Sequence, residues 1–127
     1  MSNKKILKKI LVADDEPDVR RLVSMLLTRD YVVLEARDGQ EAINIARTEK
    51  PDLILMDIMM PKMDGYAACL HIKADQVTRN IPVVMLTAVG YELNKKLAKQ
   101  SGADGYVTKP FSRQELIDAI SPLLATS

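Results

Sequence analysis

The sequence predicts an α/β fold: one doubly wound parallel sheet of five strands alternating with five helices. Three observations carry this. Short apolar runs (ILVA, YVVLEA, LILM, IPVVML and YVT) recur between turn signals, as strands of a covered parallel sheet do. The stretches between them repeat apolar residues at helical spacing. No internal repeat, low-complexity linker or shift in composition interrupts the 127 residues, so we expect one domain over residues 1–127 with a core at about 8–125.

After a basic lead-in, residues 10–13 form the first strand and run into Asp14-Asp15-Glu16. Pro17 suits the first turn of a helix whose Val19, Leu22, Val23 and Leu26 share one face. Residues 31–36 are the second strand, and Asp38-Gly39-Gln40-Glu41 resembles a capping box ahead of Ala42, Ile43, Ile45 and Ala46. That helix ends near Lys50-Pro51. The central strand, Leu53-Ile54-Leu55-Met56, carries Asp57 at its far end and breaks at Pro61 and Asp64-Gly65. A third helix passes through Tyr66, Ala67, Leu70 and Ile72 and runs out near Asp75. Residues 81–86 are the fourth strand, with Pro82 tolerable at its start, and they end in Thr87-Ala88.

A fourth helix, residues 91–101, has few apolar anchors, Leu93, Leu97 and Ala98, beside Lys95, Lys96 and Lys99. It is expected to be the most loosely held. Gly102 and Gly105 bracket a turn into the last strand, Tyr106-Val107-Thr108, which ends at Lys109-Pro110. Ser112-Arg113-Gln114-Glu115 is a second capping box, and Leu116, Ile117, Ile120 and Leu124 give the fifth helix its apolar face, with Pro122 expected to fray or kink it.

Charged residues make up 28% of the chain and apolar ones 47%, with a net charge of +1, which argues against direct nucleic-acid binding. A single cysteine, Cys69, leaves no internal disulfide and reads as a small packed residue, while His71 reads as a surface group. The amino-terminal apolar stretch is too short for a signal peptide or a membrane span. A cytoplasmic location without membrane contact is the expectation.

The crossover rule brings the carboxyl ends of all strands to one edge. Asp14, Asp15 and Glu16 end the first strand, Asp57 the third, Thr87 the fourth and Lys109 the fifth. Carboxylates in close approach repel by about 4 kcal/mol per pair at an effective dielectric near 20. A positive group must offset this: Lys109 is one candidate, and a hard divalent cation such as magnesium, held by carboxylates and a backbone carbonyl, is the other. Taken singly, each residue reads as a cap or solvated surface; their conjunction at the ends of four strands reads as a site. Glu16 is also accounted for as an acid favouring a helix amino terminus.

The stretches ILVADDEPDVRRLV, PDLILMDIMMPKMDGYA, IPVVMLTA and GADGYVTKPF resemble the receiver domain of two-component response regulators, and together they span nearly the whole chain. The resemblance implies a flavodoxin-like strand order 2-1-3-4-5. It implies that Asp57 is the phosphoacceptor, taking a phosphoryl group from a phosphohistidine on a sensor histidine kinase or histidine phosphotransfer protein. Magnesium is the implied cofactor, held by Asp15, Asp57 and the Met59 backbone carbonyl, with Asp14 acting through water. Thr87, the Ala88 amide and Lys109 are implied phosphoryl contacts, and the Lys109–Pro110 peptide bond is implied to be cis.

Thr87 and Tyr106 match a switch pair that alters the face of the fourth helix, fifth strand and fifth helix for a downstream effector protein or domain. A phosphorylation-dependent homodimer belongs to the same set of expectations. Met59 and Val89 occupy the two positions that tune the lifetime of the phosphoryl group, and neither apolar side chain orients an attacking water, so slow self-dephosphorylation is expected. The chain is then a signalling phosphoacceptor rather than an enzyme, either stand-alone or excised from a longer regulator.

Between residues 91 and 113 the bases Lys95, Lys96, Lys99, Lys109 and Arg113 outnumber the acids Glu92 and Asp104. An acidic or amphipathic partner segment and a solvated helix face fit that balance equally. Other function classes fare worse. A metal-dependent phosphatase with an Asp nucleophile needs an acid where Met59 stands, and a flavin or dinucleotide module needs a glycine- or hydroxyl-rich loop where acids and Pro17 follow the first strand. A purely structural receiver would not require every site residue to be present.

Overall fold

The computed structural model describes residues 6–88, 96–97 and 99–124. Five strands, β1 (Lys9–Ala13), β2 (Val32–Ala36), β3 (Leu53–Asp57), β4 (Val83–Ala88) and β5 (Gly105–Lys109), form one sheet in the order β2-β1-β3-β4-β5. Every neighbouring pair is parallel, which is the flavodoxin-like arrangement. The winding reverses between β1 and β3, and the crevice beyond their carboxyl ends is where such sheets bind ligands.

Four helices lie among the described residues: α1 (Pro17–Leu27), α2 (Gly39–Glu49), α3 (Gly65–Ala74) and α4 (Arg113–Leu124). The sequence reading expected five. Its fourth helix, with the loose hold assigned to it, falls largely outside the described residues, although Lys96, Leu97, Lys99 and Gln100 are helical. α4 is therefore the fifth helix of that reading, and it runs on to Leu124 with Pro122 inside it.

A two-residue period sorts the strands between two cores. Ile10, Val12, Leu53, Leu55, Val84, Leu86 and Val107 pack with Val23 and Leu27 of α1 and Leu116, Ile120 and Leu124 of α4. Leu11, Ala13, Ile54, Met56, Val83 and Met85 pack on the other face with Ala42 and Ala46 of α2 and Ala68, Cys69 and Ile72 of α3. Each large aliphatic so buried stabilises the fold by about 1.5–3 kcal/mol.

The helices differ from the sequence reading in which stripe they bury. In α1 Leu22 is exposed and Leu27 takes the buried place; in α3 Leu70 is exposed and Ala68, Cys69 and Ile72 face the sheet. Both capping expectations were close. Ser112 and Glu115 exchange both bonds of a capping box, the Glu115 amide donating to Ser112 Oγ at 3.1 Å and the Ser112 amide to Glu115 Oε1 at 3.0 Å. At α2, Asp38 caps the Glu41 amide at 2.8 Å, but Glu41 answers one residue earlier, accepting from the Arg37 amide at 2.9 Å.

Candidate functional site

Parity along the strands decides which side chains meet at the carboxyl edge. Asp14 follows Ile10 and Val12, Asp57 follows Leu53 and Leu55, and Lys109 follows Val107, so all three project to the face covered by α1 and α4. They meet there. Lys109 Nζ donates to Asp14 Oδ2 at 3.0 Å and to Asp57 Oδ1 at 3.1 Å, with Glu16 Oε1 at 4.0 Å. Asp14 is 0% exposed and Asp57 3%, whereas Asp15 and Glu16 face solvent.

The electrostatics follow from that burial. Desolvation by burial, reinforced by the Asp14 charge, raises the Asp57 carboxyl from 3.8 to about 6, against the pull of Lys109 and the Met59 amide. Burial opposes the charge on Lys109 as well, but its bonds to Asp14 and Asp57 outweigh this and hold the ammonium above its usual value. One lysine thus serves several carboxylates.

Oxygen atoms of Asp14, Asp15 and Asp57 lie within 4.8 Å of one another. Three hard oxygen donors so close, with a single ammonium among the described residues to offset them, are the donor set that magnesium takes up. The residues present therefore fit a divalent cation.

The loop after β3 is held against this site by close packing. A Cβ on Gly65 would stand 2.3 Å from the Asp57 carbonyl oxygen, so only glycine fits where α3 begins. The Gly65 amide donates to the Ile58 carbonyl at 2.8 Å, and Asp64 caps α3 through the Ala67 amide at 2.9 Å. Met59 is 61% exposed beside Asp57.

Thr87 is buried at the end of β4, one residue past the level of Asp57, and its hydroxyl makes no hydrogen bond to the acids or Lys109 among the described residues. Ala88 pairs in register with Lys109. Tyr106 is half-exposed and sits opposite Met85, on the same face as Thr87. Val89 lies outside the described residues. The Lys109–Pro110 bond is cis, as the resemblance implied.

Sequence reasoning missed Arg20, whose guanidinium reaches the backbone of Asp14. A signal was present: Arg20 stands three residues before Val23 and seven before Leu27, on the stripe that α1 turns to the sheet.

A family model described as the response regulator receiver domain matches residues 10–121. The alkaline phosphatase synthesis transcriptional regulatory protein PhoP of Bacillus subtilis is 44% identical over 121 residues, covering 94% of this chain and 50% of that protein. The DNA-binding dual master transcriptional regulator RpaA of Synechocystis is 42% identical over 117 residues, 91% of this chain and 48% of that protein. The chain thus spans about half the length of the curated relatives it matches.

Among solved structures, the chemotaxis protein CheY4 of Vibrio cholerae superposes with a TM-score of 0.88 at 31% identity, covering 94% of this chain and 100% of that one. The receiver domain of a sensor histidine kinase from Pseudomonas aeruginosa gives 0.87 at 30% identity, covering 94% and 99%, and holds a magnesium ion in its active-site cleft. No helix among the described residues is long and apolar enough to cross a membrane. The fold, the clustered acids and these likenesses agree: the chain belongs to the receiver domain family of two-component response regulators.

Proposed function

We propose that Asp57 accepts a phosphoryl group from a phosphohistidine of a sensor histidine kinase or histidine phosphotransfer protein, and that the modified pocket alters a surface read by a downstream effector. One observation carries the reading: Asp57, buried at a strand end, shares Lys109 with Asp14 and lies with Asp15 in a cluster of oxygens within 4.8 Å. An Asp57 oxygen attacks phosphorus as the histidine N–P bond breaks and its electron pair returns to the imidazole. Lys109 then pairs with one phosphoryl oxygen, and the Thr87 hydroxyl and Ala88 amide donate to others. These are the alignment and charge neutralisation that phosphoryl transfer needs.

Asp15, Asp57 and the Met59 carbonyl would hold magnesium, with Asp14 acting through water. Bound there, the ion would supply positive charge for the phosphoryl oxygens. The switch pair shares the other face of the sheet, with Met85: Thr87 moves toward the new charge and Tyr106 fills the space it leaves, changing the surface of residues 91–101, β5 and α4. A nearly complete switch needs about 5.5 kcal/mol of differential stabilisation. Effector binding and a phosphorylation-dependent homodimer both use this surface. We assign residues 1–127 to one domain with its core at about 8–125, acting in the cytoplasm, without binding nucleic acid itself, as a stand-alone receiver or part of a longer regulator.

Incubation with acetyl phosphate and magnesium, read by intact mass, tests the chemistry. One added phosphoryl group is expected, absent in Asp57→Asn and in a chelated control. No adduct on a folded, magnesium-responsive wild type would overturn the reading. The exposed apolar Met59 beside the acceptor supports slow self-dephosphorylation; loss of the label within seconds of removing the phosphodonor would contradict that.

A further inference from the structure

Arg20 ties β1 to β2 through one guanidinium. Its Nη1 donates to the Asp14 carbonyl oxygen at 2.7 Å and its Nε to Glu35 Oε1 at 3.0 Å, and its side chain is only 12% exposed. Glu35 alternates with Leu34 and Ala36, which pack on the α2 and α3 side, and so it stands on the α1 face within reach.

The Asp14 carbonyl lies just past the end of the β1 ladder. Asp14 still donates its amide to the Ala36 carbonyl at 3.1 Å, but among the described residues only Arg20 answers its carbonyl. A buried carbonyl without a partner is costly, and a charged donor is a strong one. The turn beyond is pinned twice more, by the Glu16 amide on Asp14 Oδ1 at 2.9 Å and by the Val19 amide on the Glu16 carbonyl at 3.1 Å. Asp15 lies between these points, exposed, and its carboxylate makes no hydrogen bond or ion pair among the described residues. Backbone alone aims it.

We propose that Arg20 is a positioning residue for divalent-cation binding: by gripping the Asp14 carbonyl and anchoring on Glu35, it holds the β1–α1 turn so that Asp14 and Asp15 converge with Asp57. The proposal rests on the reading that this pocket takes magnesium. It makes a prediction opposite in sign to simple electrostatics. A positive side chain near a cation site repels the cation, so removing Arg20 tightens binding if charge is its contribution, and weakens binding if position is.

The test is a magnesium titration of the full chain followed by amide shifts in two-dimensional NMR, whose dispersion also reports folding. Arg20→Met is expected to weaken the magnesium Kd about tenfold, and Arg20→Lys, which keeps the charge but not the fork, severalfold. Equal or tighter binding by both variants overturns the proposal while leaving the magnesium reading intact. A wild type that gives no response overturns both. If Arg20→Met does not fold, Arg20→Lys decides alone: severalfold weaker binding supports the proposal, and unchanged affinity overturns it.

Discussion

Lysine–aspartate contacts mark both edges of the sheet, and they are built differently. At the amino edge, Lys73 Nζ donates to Asp104 Oδ2 and to the Ile81 carbonyl, both at 2.8 Å, and Asp104 Oδ2 also accepts the Val83 amide at 2.8 Å. One cation meets one carboxylate, and backbone groups complete the set. At the carboxyl edge a single lysine bonds Asp14 and Asp57, with Asp15 in the same cluster. The first arrangement closes on itself and fastens α3 to β4 and β5. The second leaves negative charge uncancelled, and that shortfall separates a candidate cation site from a latch built of the same side chains.

Steric damage to the carboxyl edge should have the largest effect. Gly65→Ala forces a Cβ to within 2.3 Å of the Asp57 carbonyl oxygen, and we expect a loss of about 3 kcal/mol or more in urea unfolding together with a weakened magnesium response. Magnesium itself separates the two edges. At about 100 times its Kd it should stabilise wild type and Lys73→Met alike by about 2.7 kcal/mol and leave Asp15→Asn almost unchanged, as a thermal melt would record. A response lost in Lys73→Met would erase the distinction.

Acid titration sharpens the comparison further. With the Asp57 carboxyl raised from 3.8 to about 6, the folded chain holds that proton more tightly than the unfolded one. Without magnesium, this group's stabilising contribution is present below about pH 4 and is lost as the pH rises to about 6. Asp57→Asn, with no charge to bury, should be about 3 kcal/mol more stable than wild type at pH 7 and close to it near pH 3.5. The smallest effect belongs to an exposed pair just past β2, Arg37 with Glu41 at 3.3 Å. Arg37→Ala should cost under about 0.5 kcal/mol and leave magnesium affinity alone.

The strands and the acids at their ends were legible because both signals are local: an apolar run identifies a buried strand, and parallel topology sends every carboxyl end to one edge. Helix faces were less so. Leu22 and Leu70 belong to helices with apolar residues on more than one side, and spacing does not choose between stripes that only the sheet distinguishes. Arg20 went unremarked because its role depends on a carbonyl at the end of the β1 ladder, which no local pattern marks. Asp64-Gly65 reads as a turn, which explains the glycine without disclosing how close the Asp57 backbone comes. The Lys73–Asp104 contact joins residues 31 apart, and no periodicity relates them.

Lys109 comes from an outer strand and Asp14 from the first, 95 positions earlier in the chain. A polypeptide leaving the ribosome carries Asp14 and Asp57 through much of its synthesis before the ammonium that bridges them exists. The bridged pocket arises only when β5 docks on β4, so the acceptor chemistry we propose, which uses Lys109, is confined to chains whose sheet is complete.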